Sequence, residues 1–196
     1  MTPQRTADPS IMATEVPLFP LNTVLFPGSK LPLRVFELRY RRLLDICGHD
    51  RPFGIARIRD GAEVGEPAFS YEVGTTALVS QMRSRADGSL NVLVEGQARV
   101  RVDSLRVESD GLIFATVRPL FNDALLPVPH DMQGLAAQLQ RQGISALDAG
   151  SLAWRLADLL PLTDDFRQDL LEEDDIPRRL QHLREWLNQN QVFFTV

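Results

Sequence analysis

From Phe53 to Val117 apolar residues recur with a period of two, and Asp-Gly pairs at 60–61, 87–88 and 110–111 cut the run into short pieces. That period belongs to half-buried strands, and Asp-Gly supplies the positive φ that tight hairpin turns need. Phe53–Ile58, Gly74–Met82, Leu90–Val94, Ala98–Val107 and Leu112–Val117 are the expected strands, with Gly96-Gln97 interrupting the third and fourth. In the fourth, valine alternates with arginine, so Arg99, Arg101 and Asp103 share one side and Val100, Val102 and Ser104 the other. Short strands joined by tight turns point to a small barrel or closed sheet, because closure removes exposed edges.

What precedes and follows this body has a different grain. Val16–Gly28 is apolar but crossed by Pro17, Pro20 and Pro27, which excludes a helix and leaves short extended pieces. Lys30–Val35 is a second such piece. Phe36, Tyr40, Leu43, Leu44 and Cys47 then recur at helical steps, with Glu37, Arg39, Arg41, Arg42 and Asp45 between them and Gly48 as the stop. Past Asn122, Leu126-Pro127-Val128-Pro129 leads into helices expected over 130–142, 151–160 with Ser151 as N-cap, and 163–172 with Thr163 as N-cap. A last helix begins at Asp174 or Asp175, with Pro177 in its first turn and Leu180, Leu183 and Leu187 on one stripe. The reading is an α+β chain: a flexible leader (1–15), a β body with one inserted helix (16–122) and a helical subdomain (123–196). Residues 1–122 carry 15 basic against 14 acidic side chains, whereas the remainder carries 6 against 12.

Composition narrows the chemistry. The 196 residues are 44% apolar and 24% charged with a formal net charge of −5, which suits a soluble globular protein and not one built to coat a polyanion. No apolar run approaches the roughly 18 residues of a membrane span, and the first fifteen residues lack the apolar stretch of a signal peptide. Cys47 is the single cysteine, so no disulfide framework exists and a reducing, cytoplasmic setting is expected. Lys30 is the only lysine beside 20 arginines. It stands in Pro27-Gly28-Ser29-Lys30-Leu31-Pro32, without the second glycine and following hydroxyl of a Walker loop, and no two glycines are spaced as G-x-G. His49, His130, His182 and Cys47 fall into no metal-ligand spacing. No serine lies in G-x-S-x-G, and Ser29 and Lys30, adjacent in an extended segment, point apart. Glu172-Glu173-Asp174-Asp175 reads as a solvated, helix-capping link. Arg34, Arg39, Arg41 and Arg42 read as intrahelical pairs and snorkelling stems, with contact to an anion or nucleic acid as the competing reading. No catalytic residue, cofactor or metal is expected.

Taken as a unit, the opening carries a family pattern: Pro17-Leu18-Phe19-Pro20-Leu21, Val24-Leu25-Phe26-Pro27-Gly28, Leu31-Pro32-Leu33, then Phe36-Glu37 and Arg39-Tyr40. It resembles the amino-terminal, substrate-binding domain of Lon ATP-dependent proteases, and the likeness continues in Phe53-Gly54-Ile55, Gly74-Thr75 and Val94–Val102, reaching about residue 190. The resemblance implies a PUA-like β-barrel followed by a small C-terminal helical bundle. It further implies recognition of unfolded or apolar polypeptides and support of oligomer assembly, with the ATPase and Ser-Lys peptidase chemistry belonging to later domains of the family. The expectation is a non-enzymatic polypeptide-binding protein that hands its clients to a separate protease; an RNA-binding module of PUA-like type is the alternative, on fold analogy alone. Apolar clients need accessible apolar side chains. Phe26, Phe36 and Tyr40 are the candidates for that role, and packing of the early helix on the sheet is the weightier reading of the same aromatics. Val192–Val196 either folds back on the helices or serves a neighbour.

Overall fold

The computed structural model describes residues 13–61, 63–65, 69–120 and 125–191. Most of the leader (1–12) and the apolar tail (192–196) lie outside them. The strands are β1 (Thr14–Leu21), β2 (Lys30–Val35), β3 (Phe53–Asp60), β4 (Phe69–Ser70), β5 (Val73–Ser84), β6 (Leu90–Val107) and β7 (Ile113–Pro119), and helix α1 (Leu38–Cys47) stands between β2 and β3. Pairing runs β1–β7–β6–β5–β3 and returns from β3 to β1 through a short parallel register, Leu18 beside Gly54 to Leu21 beside Arg57. The other pairs are antiparallel, with β4 on β3 and β2 on β6. The result is a mixed α/β domain on a seven-stranded, mostly antiparallel sheet.

Two strand expectations change in extent. β1 begins at Thr14 and carries Pro17 and Pro20 within it. The two segments expected on either side of Gly96-Gln97 form one 18-residue strand, β6. The strand runs on through Gly96 with a shift in its register to β5, and there the chain before β2 crosses it: an added Cβ would run into the carbonyl of Phe26.

That crossing segment, Val24–Gly28, is held from both sides. On the sheet side the buried Thr75 hydroxyl donates to Leu25 O at 2.6 Å and Gly28 N–H donates to Gly96 O at 2.7 Å. Side chains alternate along it, so Leu25 enters the core between sheet and α1 while Val24 and Phe26 enter the core shared with the C-terminal helices. α1 buries Tyr40, Leu43, Leu44 and Cys47 in the first of these cores and ends at Gly48, whose φ of 55° few other residues adopt.

After a 3-10 turn at His130–Met132 come α2 (Gln133–Arg141), α3 (Ala149–Leu159), α4 (Asp164–Glu172) and α5 (Ile176–Gln189). Thr163 caps α4 and Asp175 caps α5, as the sequence indicated. For α3 the cap is Asp148. Ser151 sits one turn in: its N–H donates to Asp148 Oδ1 at 2.9 Å, and its hydroxyl accepts from the Asp148 N–H at 3.1 Å. A serine three residues after an aspartate can close this reciprocal box, which is why the helix starts earlier than a serine cap alone would put it. Leu180, Leu183 and Leu187 are all buried. None of the described helices is long and apolar enough to cross a membrane.

Candidate functional site

The three aromatic candidates are placed very differently. Phe26 is 0% exposed, stacked on Trp154 with ring centroids 5.5 Å apart and covered by the Arg167 guanidinium at 4.8 Å. Tyr40 is 4% exposed and lies flat on Phe19, centroids 3.9 Å apart. In this arrangement neither meets solvent. Phe26 alternates inward with Val24, and Tyr40 is on the face of α1 that must cover the sheet. Phe36, by contrast, is 52% exposed, just outside the helix whose period it had seemed to join.

Phe36 has company. Leu38, the first residue of α1, is 80% exposed and Val64 is 56% exposed. Glu37, between Phe36 and Leu38, turns inward to pair with Arg39 at 3.0 Å and accepts the Gly65 N–H at 3.5 Å. That contact draws Val64 toward the same end of the helix. Glu63 is anchored in turn, accepting the Asn22 N–H at 3.3 Å. Arg39 is buried and donates to Gly111 O at 3.4 Å, with its guanidinium 4.6 Å from the Tyr40 ring centroid. The Glu37–Arg39 pair therefore ties Gly65 and Gly111 to the start of α1, where Phe36 and Leu38 are exposed and Val64 lies one residue before Gly65.

The electrostatics of this end of α1 are legible in Tyr40. Burial, reinforced by Glu37 and Glu63 and opposed by Arg39, pushes its phenol from an ordinary value of 10.0 up to about 12. The neutral phenol is thus favoured in the folded state, so the stability it contributes is intact below pH 10 and is lost as pH rises toward 12. In an alkaline titration followed by phenolate absorbance, Tyr40→Phe should remove the late-ionising step; removal of a step near pH 10 instead would show that the ring is not buried. Cys47 follows the same logic, its thiol pushed up to about 11 by burial. Its neighbour His49 places Nδ1 2.9 Å from Val79 O.

The arginines of the opening do not form a free basic patch. Arg34 pairs with Asp87 at 2.6 Å, Arg41 donates to Gly88 O, and Arg42 pairs with Glu108 and, at 2.7 Å, with Asp110. They pair across the fold with the two Asp-Gly turns, not within the helix as its spacing suggested. Asp87 is held down at about 2, first by the Ser89 hydroxyl and N–H and then by Arg34. These arginines are thus held in contacts within the fold.

A second constellation escaped the sequence reading altogether. The supposed solvated link after α4 is the docking point of the helices: Arg99 donates to Leu171 O at 2.9 Å and pairs with Asp174 at 3.0 Å. Arg179 is fully buried, its guanidinium 3.6 Å from the Trp154 ring centroid and its Nη2 2.6 Å from Glu173 O. Farther along the junction Arg155 donates to Gly28 O, Arg167 to Val24 O, and Arg57 pairs with Asp165. A planar guanidinium can stack on a ring while donating to carbonyls in its plane; an ammonium cannot, which gives the excess of arginine over lysine a structural use. Acid residues in a link reveal nothing of this, because the acceptors are mostly backbone carbonyls.

A groove of about 780 Å³ lies elsewhere, between α4 and α5. Phe166 and Trp186 contribute to its walls, but so do Asp169, Glu172, Glu173, Asp174 and Glu185. An apolar segment bound there would desolvate carboxylates, so the groove suits such a ligand less well than the surface around Phe36. Among the described residues no group of three or more His, Cys, Asp or Glu side chains is placed to hold a metal ion.

Comparison with known proteins bears on the fold and the family. The model of the ATP-dependent protease La (LON) substrate-binding domain matches residues 15–189. Lon protease 2 of Herpetosiphon aurantiacus is 33% identical over 196 aligned residues, covering 89% of this chain and 24% of that protein. Lon protease of Escherichia coli K12 is 27% identical, with 86% of this chain and 24% of that protein covered. The chain thus spans about a quarter of the length of these relatives. Among solved structures, the Lon N-terminal domain protein from Xanthomonas campestris superposes with a TM-score of 0.76 at 37% identity, covering 88% of this chain and 98% of that one. The N-terminal domain of Mycobacterium avium complex Lon protease, at 20% identity and a TM-score of 0.64 over 89% of this chain and 98% of that one, shares the fold. With its fold, its opening motifs and its length from residue 15 to 189 all accounted for, the chain belongs to the Lon substrate-binding domain family.

Proposed function

We propose that this chain binds exposed apolar segments of unfolded polypeptides through Phe36 and Leu38, with Val64 beside them, performs no chemistry itself, and passes its clients to a separate protease. The observation that carries this reading is the pair of large apolar side chains held outward on either side of an inward-turned Glu37. Exposed apolar side chains beside an ion-paired helix start give apolar segments of a client a place to dock. Tyr40 acts in this proposal as packing beneath the start of α1, while Phe26 belongs to the core shared with the C-terminal helices. Membership of a substrate-binding domain family supports the polypeptide client, and the cytoplasm, where unfolded chains and reduced thiols coexist, is the setting that fits it.

The test is binding of a permanently unfolded, fluorescently labelled client. Burying a Phe or Leu side chain is worth about 1.5–3 kcal/mol before ordering costs, so Phe36→Ser combined with Leu38→Ser should weaken binding by about tenfold or more. The melting temperature should stay within a few degrees of the parent, because both side chains are exposed. Unchanged affinity in the double variant would remove Phe36 and Leu38 from the site.

A further inference from the structure

We infer that the Phe36–Leu38 surface selects among apolar segments by charge, preferring those flanked by lysine or arginine to those flanked by acids, through Glu63 at its rim; this rests on the polypeptide-binding reading above. Two carboxylates, Glu37 and Glu63, approach this end of α1, one from the β2–α1 junction and one from the loop after β3. Glu37 is neutralised by Arg39 at 3.0 Å. Glu63 is half-buried and accepts only the Asn22 N–H at 3.3 Å, with no cation beside it among the described residues. The ion pairs of Arg34 with Asp87 and of Arg42 with Glu108 and Asp110, and the hydrogen bond of Arg41 to Gly88 O, do not involve Glu63. At the rim of the apolar surface Glu63 is thus a carboxylate with no ion-pair partner among the described residues. An ammonium or guanidinium a residue or two from a docked apolar side chain gains a partner there, whereas a client carboxylate is repelled and partly desolvated.

The test uses the whole chain and three labelled peptides sharing one Leu/Phe/Val core, flanked at both ends by lysine, serine or glutamate. At low ionic strength the lysine-flanked peptide should bind about two- to fivefold more tightly than the glutamate-flanked one. The gap should close at high salt, where exposed charges are screened. It should also shrink in Glu63→Gln, whose fold is checked by circular dichroism. Equal binding of all three peptides would overturn the charge selection while leaving the apolar site standing. A preference undiminished in Glu63→Gln would overturn the assignment to this rim and point to the acidic α4–α5 groove. If the serine-flanked peptide shows no binding at all, the polypeptide-binding reading fails and this inference with it.

Discussion

Trp154→Ala should destabilise the chain by about 3–5 kcal/mol, the cost typical of emptying a large aromatic site in a core, and the loss should be read as a fall in the urea midpoint followed by far-ultraviolet circular dichroism. Trp154 touches Phe26 on the sheet side and carries the Arg179 guanidinium 3.6 Å from its ring centroid, with Arg99 farther off at 5.7 Å. Its removal leaves a void and takes the aromatic face from two buried cations at once. Trp186, half-buried at the α4–α5 groove, is the control, and its alanine variant should cost much less. Equal losses for the two tryptophans would show that the junction around Trp154 does not hold the helices to the sheet.

Phe26→Ser should be comparably severe, for a reason that matters to any binding experiment. A phenylalanine-to-alanine change in a core costs about 3–5 kcal/mol, and serine adds a hydroxyl with little prospect of a partner. Phe26 lies between Trp154 and Arg167 where the Val24–Gly28 segment is trapped between sheet and helices. Loss of client binding in this variant would therefore accompany loss of folding, as thermal melting should reveal. A Phe26→Ser protein that melts like the parent would contradict the burial on which this assignment depends.

Much of the fold can be read directly from the chain because its signals are local. Alternation and Asp-Gly pairs locate the hairpins, and Thr163, Asp175 and Pro177 mark helix starts by their own backbone chemistry. Residues whose role depends on distant partners are opaque. Gly96 looks like a break between strands, yet it admits the Phe26 carbonyl from some seventy positions earlier in the chain. Arg99 looks like the outer face of a strand, but the helices cover it there and its guanidinium donates to Leu171 O. The acids after α4 look like a solvated link, yet the Glu173 carbonyl accepts from two buried arginines, Arg99 and Arg179. The candidate site divides along the same line. Phe26, Phe36 and Tyr40 are indistinguishable as nearby aromatics, and only the path of the chain turns two of them inward. Leu38 and Val64 had no sequence signal of their own, since an exposed leucine at a helix start and a valine in a loop are both ordinary.

The central claim, that an apolar client docks at the start of α1, is most directly tested by locating it. A labelled apolar peptide carrying a photoreactive side chain, cross-linked to the whole chain and mapped by mass spectrometry, should mark Phe36, Leu38 and the segment around Val64. Competition by the unlabelled peptide should erase those adducts. Adducts confined to the α4–α5 groove, or spread over the surface and indifferent to competitor, would contradict the account.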